Sequence, residues 1–183
     1  MGCVNDDTRS RALAAAVIEL ERHAATGGWD APVGIYALVR TSAALQDNPS
    51  LADELGPDVV TAARDNPEHL TSVEQDGLPE SDNLEELLAQ LAWPESVHGA
   101  AIVVERIVVP PEAEQDMPSD PDAAVEYLMS HPDRQDVRVA AGVLRTGESW
   151  CALRSRANDS DDAVAGGPDA VPGLVHALAA TFN

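Results

Sequence analysis

No lysine occurs in the 183 residues, and all 11 basic residues are arginines set against 32 Asp and Glu. Without a lysine amine there can be no Schiff-base catalysis, no covalently held pyridoxal phosphate and no Walker A phosphate loop. Cysteine is nearly as scarce. Cys3 and Cys151 lie far apart and form no CxxC, so no disulfide framework is expected and a reducing cytoplasm fits best. Long apolar runs are missing too, since the best stretch, Ala100 to Val109, is broken by Glu105-Arg106 and is too short to span a bilayer. The start Met1-Gly2-Cys3 has Asp6 where a myristoylation signal wants Ser or Thr, and no secretion signal is evident.

What is abundant is negative charge. A formal charge of −21 repels phosphate backbones and anionic headgroups, so binding to nucleic acid or membrane by charge is not expected. Apolar residues still make up 44% of the chain, enough for an ordinary core. Codon bias of a GC-rich genome accounts for arginine in place of lysine; adaptation to high salt is the alternative. The length predicts one domain over residues 1–183, with 1–7 frayed and 112–121 and 157–168 as surface loops.

Leu13, Val17, Leu20 and Ala24 recur at helical spacing after a cap at Asp7 or Thr8, and Gly27-Gly28 ends that helix. Val33–Val39 reads as a strand. Pro49 and Pro57 cut Thr41–Asn66 into short helical pieces, and a weak strand follows near His69–Gln75. A helix capped by Ser81 or Asp82 runs through Leu84, Leu87, Leu88 and Leu91. His98–Val109 reads as a central strand buried on both faces. Asp120 or Asp122 opens a further helix, residues 137–156 form a β-hairpin, and Pro172 starts a last helix. The order predicts an α+β fold: a mostly antiparallel sheet of about five strands with helices packed on it.

Five arginines are the candidate ligand-binding set: Arg106 on the central strand, and Arg138, Arg145, Arg154 and Arg156 on the hairpin, with Arg134 just before it. Their guanidinium forks suit a carboxylate or phosphate, or else they pair with the chain's own acids. His131, Asp133 and Asp136 gather an imidazole and two carboxylates, but in no known ligand spacing, and a helix-ending turn explains them as well. Residues 158–162 have the oxygens of a calcium loop without its glycine or closing glutamate. No catalytic motif appears, Cys151 sits in a strand, and the five histidines are scattered, so no catalytic residue, metal or cofactor is expected. Trp29, Trp93 and Trp150 stand out among 3% aromatics as core plugs or as partner-binding anchors.

The segments Ile18–His23, Gly28-Trp29-Asp30, Ala92-Trp93-Pro94, Val103–Arg106, His131–Gln135, Val137–Arg145, Cys151–Arg154 and Val171–Leu174 resemble a family of uncharacterised actinobacterial proteins of similar length. The resemblance implies a bacterial cytoplasmic protein and brings no site residues. In element order alone, the chain is also similar to the small acidic chaperones of bacterial secretion systems, which bind extended client segments and are commonly dimers. The functional expectation is a non-catalytic binding domain for a protein partner, with homodimerisation open. The alternative is a sensor or enzyme that holds an anion on the hairpin arginines.

Overall fold

A computed structural model describes residues 2–81 and 83–182, apart from the side chains of 2–5. Helix α1 (Gly2–Thr26) starts upstream of the expected cap at Asp7 or Thr8 and continues through its Ala- and Leu-rich part to the glycine pair. Gly28, at φ +82°, ends it in the left-handed region. The chain continues through β1 (Gly34–Arg40), α2 (Thr41–Asp47), α3 (Leu51–Leu55), α4 (Pro57–Asp65), β2 (Leu70–Glu74) and α5 (Leu84–Ala89). Then come β3 (Gly99–Val108), α6 (Pro111–Gln115), α7 (Pro121–Ser130), β4 (Gln135–Leu144), β5 (Ser149–Ser155), β6 (Ala165–Gly167) and α8 (Pro172–Ala180).

The class is α+β. One antiparallel sheet runs in the order β2-β1-β3-β4-β5-β6, and it has six strands where about five were expected. The additional strand, β6, lies inside the acidic, glycine-rich segment read as a loop. Its pairing with Cys151–Leu153 needs only backbone, and a Cβ on Gly166 would sit 3.1 Å from Trp150, so the composition that looks like a loop is what fits under that ring. The loop expected at 112–121 contains most of α6 for a similar reason. Pro111 at its first turn with Glu112 and Glu114 is helix-start chemistry, and the Tyr127 hydroxyl donates to the Ala113 carbonyl at 2.8 Å. Helix α5 is capped by Asn83, whose side chain accepts from the Glu86 N–H at 2.8 Å. Ser81 instead donates to the Asn83 carbonyl, and Asp82 lies outside the described residues.

Strand alternation divides the core between the two sheet faces. Ala101, Val103, Ala140, Leu144 and Ala152 face α1, against Leu13, Ala16, Val17 and Leu20. Ile102, Val139, Ala141, Val143 and Cys151 face the other side, against Leu87 and Leu88 of α5 and Leu174 and Leu178 of α8. Helix α1 lies close on β4 because Gly142 is there: a Cβ would come within 2.7 Å of Val17 Cγ2 and 3.0 Å of Leu13 Cδ1. Among the described residues, no helix is long and apolar enough to cross a membrane.

Candidate functional site

The α1 stripe that buries Leu13, Val17 and Leu20 also carries Glu21, which is fully buried. Beneath it, three residues in register cross the sheet: Glu105 on β3 opposite Arg138 on β4, and Arg138 opposite Arg154 on β5. All three have the parity that faces α1. Arg154 grips Glu21 with two bonds, Nε to Oε1 at 2.6 Å and Nη2 to Oε2 at 2.9 Å. It also reaches Asp159 at 3.0 Å and Asp161 at 2.5 Å on the loop after β5. Arg138 donates to the Gly28 carbonyl and lies 3.4 Å from Glu105 and 3.6 Å from Glu21.

Trp29 roofs this row. Its ring lies 4.5 Å from the Arg138 guanidinium and 5.6 Å from that of Arg156, a cation–π arrangement. Its indole N–H donates to Asp159 at 2.9 Å. That bond first, then the Arg154 guanidinium, hold the Asp159 carboxyl below its ordinary value. Arg156 forks onto Asp30 at 3.2 and 3.3 Å and lies 3.6 Å from Asp136.

The other end of the hairpin has its own cluster. Arg145, in the β4–β5 turn, donates to the carbonyls of Val97, Trp93 and Pro94 at 2.7–3.1 Å and stacks over Phe182 at 4.6 Å. Arg9 of α1 binds Glu148 at 2.8 Å. Burial works against the Glu148 charge, but the bonds from Thr146 and Arg9 outweigh it and hold its carboxyl below the ordinary value. Arg40 ends β1, and its backbone N–H donates to Nδ1 of His98 at 3.1 Å.

These geometries identify a sheet with two arginine clusters sharing α1, and comparison with known proteins places it. The family described as PPA1309-like protein matches residues 13–183. The chain belongs to that family. PPA1309 is a Propionibacterium acnes locus, its family consists of uncharacterised proteins, and both agree with the resemblance read from the sequence. No curated protein and no solved structure matches the chain. The PPA1309-like region takes in Glu21, Glu105, Arg138 and Arg154, and of the second cluster everything but Arg9.

Within this PPA1309-like fold, the five candidate arginines do not converge. Arg138 and Arg154 are buried against carboxylates, Arg156 is partly exposed on Asp30, and Arg106 is exposed on the opposite sheet face from Glu105. Arg145 lies seven residues along β4 from Arg138, roughly 23 Å away at strand rise. His131, Asp133 and Asp136 do not form a ligand set. His131 Nδ1 accepts the Asp133 backbone N–H at 3.1 Å, Asp136 faces Arg156, and no metal-holding group of His, Cys, Asp or Glu occurs among the described residues. Trp93 packs on Phe182 and donates to Thr181, Trp150 packs on the α1-facing core, and Trp29 serves the ion network. Burial pushes the Cys151 thiol up, away from thiolate chemistry.

Proposed function

We propose that this PPA1309-like chain is a non-catalytic cytoplasmic domain that captures a basic, amphipathic segment of a protein partner on α7. The observation that carries this reading is where apolar surface stays uncovered. Among the described residues, four of the five exposed large hydrophobic residues fall between 108 and 129: Val108 at 40% exposure, Met117 at 37%, Val125 at 59% and Met129 at 53%. Val125 and Met129 are four residues apart and therefore neighbours on one face of α7, a helix with no buried residue. Between Arg106 and Arg134 the chain has no arginine, while it has seven acids: Glu112, Glu114, Asp116, Asp120, Asp122, Glu126 and Asp133. Apolar anchors on an acid-rich segment suit a cationic amphipathic segment approaching from the Val125 side, since Arg134 already lies against Met129. With α2–α6 and β6 set aside, the element order is helix, three strands, helix, two strands, helix, the same likeness to acidic secretion chaperones that the sequence carries.

The anion-binding reading of Arg138, Arg154 and Arg156 loses support because intramolecular carboxylates already occupy their forks. The test is affinity capture from bacterial lysate with the native chain and with a Val125→Glu/Met129→Glu variant, at low and raised salt. A basic protein retained by the native chain, released by salt and lost with the variant supports the proposal. Equal retention by the variant overturns it.

A further inference from the structure

The second arginine cluster surrounds a cavity of about 220 Å³. Arg9, Arg40 and Arg145 line it from three separate elements, α1, β1 and the hairpin turn, and among the described residues Glu68 is the one carboxylate in its wall. Glu148 and Asp6 pair with Arg9 from behind that wall, so the guanidiniums that face the cavity with only Glu68 opposing them are those of Arg40 and Arg145. Arg40 is not saturated by its neighbours. Arg40 Nε is buried without a hydrogen-bond partner, and its nearest carboxylate, Glu68, stands off at 3.9 Å. Arg9 commits Nε to Glu148 and Nη2 to Asp6, and Arg145 commits Nε and Nη2 to backbone carbonyls.

His98 completes the wall. Its Nδ1 accepts the Arg40 N–H, which leaves the proton of a neutral ring on Nε2 as a donor. Burial first, then Arg40, push its titration down against Glu68, so the ring stays neutral near pH 7. Apart from Glu68, the side-chain groups this wall offers are therefore mainly donors, which selects an acceptor-only ligand. Leu70 and Leu144 supply an apolar part of the lining, and each is mostly buried.

The geometry points to a small organic carboxylate with an apolar body as the ligand of this cavity, its carboxylate held by Arg40, Arg145 and the Nε2–H of His98 and its body against Leu70 and Leu144. The volume suits a ring or chain of benzoate size and is below the range of drug-sized ligands. A guanidinium fork and a neutral imidazole donor fix the carboxylate's orientation, and the leucines separate such a ligand from inorganic anions.

The test is isothermal titration of the full chain with benzoate, with benzamide as its uncharged counterpart and inorganic phosphate as the anion without an apolar body. Saturable one-to-one binding of benzoate, with benzamide and phosphate each at least about tenfold weaker, is expected. Arg40→Gln should weaken benzoate at least tenfold. Glu68→Gln removes the competing acid and should tighten it several-fold, a gain that misfolding cannot imitate. Absence of benzoate binding at millimolar concentration, phosphate binding as tightly as benzoate, or affinities unchanged in both variants overturns the assignment.

Discussion

Replacing Glu21 by Gln keeps the side chain's shape and removes only its charge, which isolates what the buried carboxylate does for the two arginines beneath it. The side chains of Arg138 and Arg154 are 1% and 3% exposed, so neither can recover its hydration in the folded state. Breaking a buried ion pair by removing one partner costs about 3–5 kcal/mol. The lower end applies here, because Arg154 keeps Asp159 and Asp161, which are largely exposed, and Arg138 keeps Glu105. A loss of about 3 kcal/mol lowers the thermal midpoint of a chain this size by roughly 6–12 °C. Urea denaturation followed by tryptophan fluorescence reads the change as a shift in midpoint at constant slope, and Trp29 sits on one of the two affected guanidiniums, that of Arg138. A companion variant, Glu21→Leu with Arg138→Leu and Arg154→Met, should recover much of the loss, since apolar replacement of a whole buried ion cluster is often neutral or stabilising. A cost below about 1 kcal/mol for Glu21→Gln, the size of a surface pair, would show that the exposed acids hold the arginines and would refute the reasoning.

Gly142→Ala should cost about 1–3 kcal/mol by overpacking against Val17 and Leu13, while Gly173→Ala, where a Cβ meets nothing within 4 Å, should cost nothing in the same urea assay; equal effects would mean that α1 can ride up from β4. Asp159 has a folded pKa below its unfolded value, so the stability it lends is complete above the unfolded carboxylate range near pH 4 and is lost as pH falls through the depressed native value. Tryptophan fluorescence should accordingly show a titration component with its midpoint below about 3.9, absent in Asp159→Asn; a midpoint at or above that value would mean that the Trp29 bond does not form in solution.

Periodicity made most of the fold legible, and it failed where backbone rather than side chains made the element. Leu13, Val17, Leu20 and Ala24 announce α1, and the apolar run before Val109 announces β3, because burial writes itself into side-chain type. The strand β6 left no such mark: Ala165-Gly166-Gly167 pairs with β5 through peptide groups, and its glycines answer to Trp150. The candidate site was legible by residue type and not by partner. Arginine pairs on the hairpin are visible as a list, but whether Arg154 points at a ligand or at Glu21 depends on a residue 133 positions earlier. One signal was available in the sequence. Glu21 falls on the same stripe as Leu13, Val17 and Ala24, and a glutamate there requires a buried cation.

Helix α1 joins the two clusters. Glu21 and Arg9 are twelve residues apart, roughly 18 Å along the axis, and so α1 delivers an acid to one end of the β4–β5 hairpin and a base to the other. The doubly bonded Glu21–Arg154 pair fixes the helix against sliding and rotation, because a shift of one residue would turn the carboxylate about 100° away from both guanidiniums. Gly142 fixes its height above the sheet. With position, rotation and height set at the buried end, Arg9 meets Glu148 at the far end without needing a contact network of its own. Arginine suits such a brace better than lysine would, since only a planar fork makes pairing dependent on direction as well as distance. The carboxylate that neutralises Arg138 and Arg154 thus also holds α1 where Arg9 meets Glu148, beside the cavity of Arg40 and His98.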